Sequence, residues 1–445
     1  MLIRSRFVLF VFVLSLCGTV SAQTHDEQDI KQLRNELAQL RQEYQARIQK
    51  LEQRIDALET QPAAQPAAAS GGGMLSGLTS SDFNPAIGVI FSGRAWRDNN
   101  NPDTVRLPGF PAGGEAGAGP KGVAIGETEL SMSANVDDKF TAWLTMPIVV
   151  DNGDVNVELE EAWIETLGLP HGFAARFGRF FSGIGYQNSR HSHTWDFIDQ
   201  PLAYQAFLGG QYLDDGVQVR WLAPTDLYME FGGEVMRGSR YPAVGAVDSG
   251  FGSHALFAHF GGDASNNSSW LAGLSWLHTG SNSRVSGNAN NPLSFSGNDD
   301  LLIADFVWKW APQGNWRQRN FILQGEYLWR NETGNYTLAN SSVLPYDTNQ
   351  SGWYVQGVCQ PFPHWRFGAR FDTLSSGNPG AAFAGTELDP LTGNPVRVSV
   401  MTDWSNSEFS RLRLQFSHLE TDVMSDNQWG LQYIFSIGAH GAHTF

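Results

Sequence analysis

Residues 411–417 read RLRLQFS, and this alternation of polar and apolar residues decides the fold. Successive side chains of an extended strand point to opposite faces, so Leu412, Leu414 and Phe416 share one face. The two arginines, the glutamine and the serine between them share the other face. Segments of the same kind recur from residue 83 to the C-terminus. This pattern predicts antiparallel strands, each with one apolar and one polar face.

The connectors between these segments alternate in length along most of the chain. The longer connectors are 98–124, 181–214, 238–252, 280–299, 331–350 and 375–394, and the shorter ones are 136–139, 151–154, 168–172, 223–226, 261–268, 311–320, 361–364 and 405–408. Only 151–154 is short where the alternation requires a long connector. Bacterial outer-membrane barrels have tight periplasmic turns and longer outer loops. The count is sixteen strands, and an even number leaves both ends of the barrel in the periplasm.

Aromatic residues separate a membrane barrel from a soluble β-sandwich, which would also alternate. Ten tryptophans lie near strand ends on apolar faces: Trp221, Trp270, Trp276, Trp308, Trp310, Trp329, Trp353, Trp365, Trp404 and Trp429. Interfacial girdles of membrane barrels need this placement. No run of about 20 apolar residues follows residue 22, which excludes a helical span. The predicted fold is all-β, a transmembrane antiparallel barrel over residues 83–445, preceded by an α-helical coiled coil.

The N-terminal residues carry a targeting signal. Residues 1–22 combine Arg4 and Arg6, an apolar run over 7–16, and small residues before Gln23. These are the parts of a cleaved secretory signal peptide. Cys17 leaves with this signal, so Cys359 remains as a single thiol and no internal disulfide is predicted. The predicted location is the cell outer membrane.

A second module precedes the barrel. Apolar residues from Ile30 to Leu58 recur at spacings of three and four, with polar residues between them, which predicts a coiled coil over 28–60. Two successive spacings of four around Tyr44 form a stutter. Self-association follows, with a homotrimer through coiled coil and barrel favoured over a dimer. A helix lying against the barrel mouth or the peptidoglycan is the alternative. Residues 61–82 predict a flexible periplasmic linker.

Parity assigns the residues that face the lumen, which is water-filled in a barrel of this size. The predicted pore-lining residues are Arg94, Glu129, Arg176, Arg220, Glu230, Asp305, Glu326, Arg330, Arg366, Arg370, Arg411 and Arg413. Two arrangements are open. The arginines could form a positive stripe for anionic solutes. Alternatively, the acidic residues pair with them in a wall that mainly stiffens the barrel.

The connector 181–214 is the predicted constriction loop, because a loop rich in aromatic residues can fold inward and pack. Its predicted constriction residues are Arg190, His191, His193, Trp195, Asp196 and Asp199. His191 and His193, with the two aspartates nearby, are weak candidates for zinc ligands because no closed set of four ligands is visible. No cofactor or metal site is therefore predicted. Ser192 lacks a converging base and acid, so no enzymatic activity is predicted.

Five short motifs connect the chain to a known family. They are GRF at 178–180, GIG at 183–185, DFIDQPL at 196–202, AF at 206–207 and DGVQV at 215–219. Together they resemble the phosphate-selective porin O and P superfamily across about fifty residues. The layout of coiled coil and sixteen-stranded barrel is similar to that of the DcaP-type trimeric porins. The resemblance implies a passive outer-membrane porin.

Two further points follow from the resemblance. Phosphate pores of the family use an arginine ladder with a lysine cluster, whereas this chain has only Lys31, Lys50, Lys121, Lys139 and Lys309. Relatives that carry GETEL (126–130), ETLGLP (165–170) and GAHGAH (438–443) are often labelled zinc-regulated TonB-dependent receptors. Such receptors resemble a larger barrel of about 22 strands with a folded plug. No plug sequence is visible here.

The predicted function is passive diffusion of small hydrophilic solutes, anions among them, through an outer-membrane porin. The alternatives are a TonB-linked or zinc-related receptor and a non-conducting envelope tether. The predicted partners are outer-membrane lipid, further copies of the chain and the outer-membrane assembly machinery. The last would read the aromatic C-terminal strand that ends at Phe445. No nucleic-acid partner is predicted.

Overall fold

The computed structural model covers most of the predicted barrel. It describes residues 85–100, 107–110, 113, 121–151, 154–245, 250–286 and 292–438. The predicted signal peptide, coiled coil and linker lie outside these residues, as does the C-terminal stretch 439–445 with its two histidines. Among the described residues, no helix has both the length and the apolar character needed to cross a membrane.

Strands make up most of the described chain. They are β1 Ala86–Asp98, β2 Gly122–Ile125, β3 Thr128–Asn135, β4 Phe140–Asp151, β5 Asp154–Val157, β6 Glu161–Thr166, β7 Phe173–Phe181, β8 Leu213–Leu222, β9 Tyr228–Met236, β10 Ser253–Ser265, β11 Ser268–Ser286, β12 Leu293–Trp310, β13 Asn320–Thr337, β14 Val343–Phe362, β15 Trp365–Ser375, β16 Val396–Ser407, β17 Ser410–Glu420 and β18 Ser425–Gly438. Helix α1 spans Leu202–Leu208, and short 3-10 turns lie at Pro170–Gly172, Ser192–Thr194, Pro312–Gly314 and Ala381–Phe383.

These segments form a closed antiparallel barrel of sixteen strands, which confirms the predicted barrel. Two barrel strands are interrupted, since β2 and β3 both pair with β1, and β5 and β6 both pair with β4. Pairing of β1 with β18, from Gly88 opposite Gly438 to Asp98 opposite Gln428, closes the ring. Closure pairs each of the described barrel strands on both sides, so this part of the chain has no free sheet edge.

The two faces of each strand have opposite chemistry. On β17, Leu412 and Leu414 are 38% and 46% exposed, whereas Arg413, Gln415 and Ser417, which have the opposite parity, are buried. The outer face is therefore apolar and the inner face polar. The two ends of the barrel also differ. The terminal end carries the start of β1 and the end of β18, and the loop end carries the connection between β7 and β8.

Two of the long connectors predicted from sequence are instead strand. Pairing of β11 with β12 continues to Ser286 opposite Leu293, and pairing of β13 with β14 continues to Thr337 opposite Val343. The predicted loops 280–299 and 331–350 are thus hairpins that extend beyond their neighbours. Their apolar side chains explain the extension, since Phe295, Tyr336 and Tyr346 bury one another in a small cluster with Phe383 and Leu388.

The connection between β7 and β8, residues 182–212, is called the inner loop below. It includes helix α1 and contributes Ile184, Tyr204, Phe207 and Tyr212 to the largest apolar cluster of the described residues. Wall residues of the same cluster come mostly from strands β9 to β15 and include Leu301, Leu328 and Tyr354. The inner loop therefore packs against the inner face of the barrel rather than projecting into solvent.

Candidate functional site

Carboxylates on the wall hold the first turn of the inner loop. Glu234 of β9 accepts bonds from the backbone N–H of Gly183 at 2.8 Å and from the Ser182 hydroxyl at 2.5 Å. Glu326 of β13 accepts one from the backbone N–H of Gln187 at 2.9 Å. Both glutamates are buried. Buried carboxylates need such donors, so these contacts fix the path of the loop.

Glu326 also organises the middle of the inner loop. The phenol of Tyr204 in α1 donates to Glu326 Oε2 at 2.8 Å, and the phenol of Tyr354 on the wall donates to Oε1 at 2.6 Å. Asp305, directly opposite Glu326 in the β12–β13 register, is also buried and on the inner face. The structure therefore places Glu326 under the inner loop, as a support for it.

Two aspartates and two arginines form a buried network at the end of the loop. Arg370 Nη2 lies 2.9 Å from Asp199 Oδ1, and Arg397 Nη1 lies 2.5 Å from Asp199 Oδ2. Asp372 completes the network, 3.0 Å from Arg370 Nε and 3.3 Å from Arg397 Nη2. All four residues are at most 4% exposed at their side chains. Equal numbers of opposite charges, each hydrogen-bonded, make such burial sustainable.

Arginines also surround Asp196. Its carboxylate pairs with Arg366, which lies 3.5 Å from Asp403 as well. Nearby, Arg411 donates to the backbone carbonyl of His193, and Arg413 donates to that of Trp195 at 2.5 Å. Asp196 and Asp199, considered from sequence as neighbours of the two histidines, are thus bound to arginines.

The two histidines instead meet a group of glutamates. His193 Nδ1 lies 2.8 Å from Glu129 Oε1, and His191 Nε2 lies 3.0 Å from Glu161 Oε2. His191 Nδ1 lies 3.2 Å from Glu160 Oε2 and 3.5 Å from Glu129 Oε2. Burial lowers the pKa of His191, but the contacts with Glu160 and Glu161 outweigh it and hold the pKa well above its usual value.

Interrupted strands create this group. The breaks after β2 and β5 flank β4 on either side, and they bring Glu127 and Glu129 toward Glu160 and Glu161. At one break the backbone N–H of Gly126 donates to Ser92 O, and at the other that of Glu160 donates to Thr145 O. At the second break, the consecutive charges of Glu160 and Glu161 do not suit period-two alternation.

Most of the predicted wall arginines are paired with carboxylates. The arginines with a carboxylate oxygen within ion-pair distance are Arg176, Arg220, Arg330, Arg366, Arg370 and Arg413. Arg220 also lies 3.5 Å from Glu230, and Arg330 lies 3.5 Å from Asp299. The wall is therefore largely charge-paired, one of the two arrangements that sequence parity left open.

A cavity lies on each side of the inner loop. The loop-end cavity measures about 570 Å³ and is lined by Arg94, Glu127, Glu160 and Arg240 among others. The terminal-end cavity measures about 1120 Å³ and is lined by the turns near Trp316, His364 and Phe409. Trp195 lines both cavities. Arg190 stacks over Tyr186, 4.4 Å from its ring centre, at the terminal-end cavity.

Several residues of this site are absent from the set predicted from sequence, among them Glu160, Glu161 and Arg397. Arg397 has inward parity on β16, and that signal could have found it. The run ELEE at 158–161 interrupts the alternation, and that interruption was the available signal for the glutamates. Their partners on the inner loop could not be read from spacing.

Comparison with known proteins gives a family of sequences and a fold. No family model matches the chain. A protein of Aquifex aeolicus (strain VF5) described as uncharacterized is 30% identical over 344 residues, which cover 73% of this chain and 70% of that protein. The chain belongs to the same family as this Aquifex protein. The description of the Aquifex protein names no activity.

Several solved structures of outer-membrane proteins are similar to this chain. OprB of Pseudomonas putida matches with a TM-score of 0.51 at 10% identity, covering 79% of this chain and 94% of that one. The outer membrane channel DcaP of Acinetobacter baumannii matches with 0.49 at 12% identity, covering 80% and 97%. An anion-selective porin from Comamonas acidovorans matches with 0.49 at 9% identity, covering 80% and 99%. At these identities the likeness to OprB concerns the fold alone.

Proposed function

We propose that the protein is an outer-membrane pore through which small hydrophilic solutes diffuse passively, with a preference for anions. The observation that carries the proposal is the closed barrel with an apolar outer face, a polar inner face and a cavity on each side of the inner loop. An apolar outer face suits lipid, and an enclosed polar interior suits hydrated solutes. The inner loop would act as the constriction.

The charge of the terminal-end cavity supports the anion preference. Its basic lining residues are Arg190, Lys309, Arg317, Arg366 and Arg411, and its acidic ones are Asp196 and Glu408. A cleft with an excess of positive charge raises the local concentration of anions. An anion that enters from this side would therefore meet a favourable potential before it reaches the inner loop.

Assembly is part of the same proposal. The coiled coil at 28–60, on its linker 61–82, would join three copies in the periplasm, and the assembly machinery would read the C-terminal strand. A signal peptide at 1–22 would direct export. The sixteen-strand count supports a pore over a TonB-linked receptor, because such receptors have about 22 strands.

Conductance of the purified full chain in planar bilayers tests the pore. We expect discrete current steps that occur in groups of three, and a reversal potential in a salt gradient that indicates anion preference. Absence of conductance over a range of voltages would overturn the pore and leave a tether or a receptor.

Arg411→Gln should reduce the anion preference. Glutamine removes one positive charge from the cavity and keeps a polar side chain at this position of the wall. A unit charge contributes about 1 kcal/mol at 4 Å in water, so the anion-to-cation permeability ratio should fall by up to about fivefold. Arg97→Gln on the exposed outer face is the matched control and should leave the ratio unchanged. An equal shift in both variants contradicts the assignment.

A further inference from the structure

We propose that Glu129, Glu160 and His191 bind a divalent transition-metal ion of the zinc class where the inner loop meets strands β3 and β6. The site does not depend on the pore function, because zinc binding and conductance can be measured separately. It differs from the aspartate-containing set considered from sequence, since two of its three ligands are wall glutamates.

The spacing of the three ligand atoms suits such an ion. His191 Nδ1 lies 3.2 Å from Glu160 Oε2 and 3.5 Å from Glu129 Oε2, and all three atoms lie within 4.8 Å of one another. Ligands about 2.1 Å from a tetrahedral zinc ion are separated from one another by about 3.4 Å. The two separations from His191 Nδ1 therefore match those between neighbouring ligands of a tetrahedral ion.

The His191 imidazole and the Glu160 carboxylate meet at this point in a close ion pair that lacks a well-aligned hydrogen bond. Within the described part of the chain, neither His191 Nδ1 nor Glu160 Oε2 makes a hydrogen bond of acceptable geometry, although both atoms are inaccessible to solvent. They face each other across 3.2 Å. Buried polar atoms are almost always satisfied. A cation between the imidazole nitrogen and the carboxylate oxygen would satisfy both.

Neighbouring residues hold these ligands as they do in metal sites. His191 presents its other ring nitrogen, Nε2, to Glu161 at 3.0 Å, and the Trp163 indole N–H donates to the same carboxylate at 3.1 Å. Metal-bound histidines commonly use their second nitrogen in this way. On the other side, His193 lies 2.8 Å from Glu129 Oε1, which leaves Oε2 directed at the site.

The donor set indicates the class of ion. One imidazole nitrogen and two carboxylate oxygens suit zinc and similar transition metals, whereas calcium and magnesium prefer oxygen ligands throughout. Three protein ligands leave a fourth position. Glu160 lines the loop-end cavity, so an ion can reach the site from that side, and water could complete the coordination. Bound metal would fasten the inner loop to the wall between β3 and β6.

Zinc titration of the purified full chain tests this inference. The protein is stripped with a chelator, dialysed in detergent and titrated with Zn²⁺ against a chromophoric competitor. We expect one Zn²⁺ per chain, loss of that binding in His191→Gln and Glu160→Gln, and an affinity lowered by roughly 10–100-fold in Glu161→Gln. The control is His278→Gln, since His278 also pairs with a carboxylate, Asp300, at 2.9 Å but lies on β11. It should retain wild-type binding.

Further readouts keep the outcomes separate. Co²⁺ bound to the wild-type protein should give the visible absorption of tetrahedral coordination, and Zn²⁺ should displace the Co²⁺. This test uses only the wild-type protein, so its result does not depend on the folding of a variant. Wild-type protein that binds no zinc, or a folded His191→Gln variant that binds as tightly as wild type, overturns the site. Conductance of the stripped protein tests the pore alone: a conducting protein without zinc affinity overturns only the metal site.

Discussion

The Asp199→Asn variant should conduct in larger single-channel steps than the wild-type protein, because the inner loop loses its strongest attachment. Asp199 forms ion pairs with Arg370 and Arg397, which are both buried, and the uncharged asparagine amide cannot neutralise these arginines. Removing one member of a buried ion pair typically costs about 3–5 kcal/mol, since it leaves charge buried without compensation. The least costly response is for the loop to leave the wall and allow water to reach the arginines.

Conductance and protease sensitivity of the inner loop measure this effect. Asp422→Asn is the matched control, because Asp422 accepts bonds from Thr392 and Gly393 in an exposed loop and, among the described residues, forms no ion pair with a wall arginine. We expect the control to behave as wild type in both assays. Equal step sizes in wild type and Asp199→Asn, with no new cleavage between β7 and β8, would show that the network does not hold the loop.

Acidification should also weaken the attachment of the inner loop to Arg370 and Arg397 in the wild-type protein, but only at low pH. Burial raises the pKa of Asp199, yet Arg397 and Arg370 outweigh it and hold the pKa below its usual value. A lowered folded-state pKa contributes stability that is present above the unfolded value of about 3.9 and lost as pH falls through the folded value. The difference in step size between wild type and Asp199→Asn should therefore stay constant from neutral pH to about 4 and become smaller below it. In Asp199→Asn that contribution from Asp199 is absent at every pH.

Deletion of the inner loop should have the largest effect on conductance. Residues 184–210 can be replaced by a short glycine-serine linker, because the backbone N–H of Ser182 donates to Tyr212 O at 3.0 Å and the two chain ends are already adjacent. The loop separates the two cavities, and a sixteen-stranded barrel without it has room for an aqueous channel. Step size should rise severalfold and the anion preference should weaken.

Bilayer recordings check this result against a second shortened connection. Replacing 378–393 between β15 and β16 removes Phe383 and Leu388. These two residues belong to the small aromatic cluster around Tyr336 and not to the cluster of the inner loop. This control should keep the wild-type step size. A deletion variant whose barrel folds and whose steps remain unchanged would contradict the inner loop as the constriction.

Several features of the fold follow from sequence because they depend on local pattern. Period-two alternation, as in residues 411–417, sets which side chains share a face, and breaks in that pattern mark turns. The sixteen strands and the all-β fold can therefore be counted from alternation and turn spacing. The extended hairpins at 280–299 and 331–350 cannot. Their polar residues resemble those of loops, and the extension depends on aromatic contacts such as that of Phe295 with Tyr336.

The partners of the inner loop were decided only by the tertiary structure. Asp199 pairs with Arg397 across 198 residues, and His191 meets Glu161 across 30. Sequence alone determined that these side chains are charged and that the wall residues point inward. Closure of the barrel decided which charges meet, because it brings strands from both halves of the chain around one loop. Alternation is a property of neighbouring residues, whereas these pairings depend on strand order and register across the whole ring.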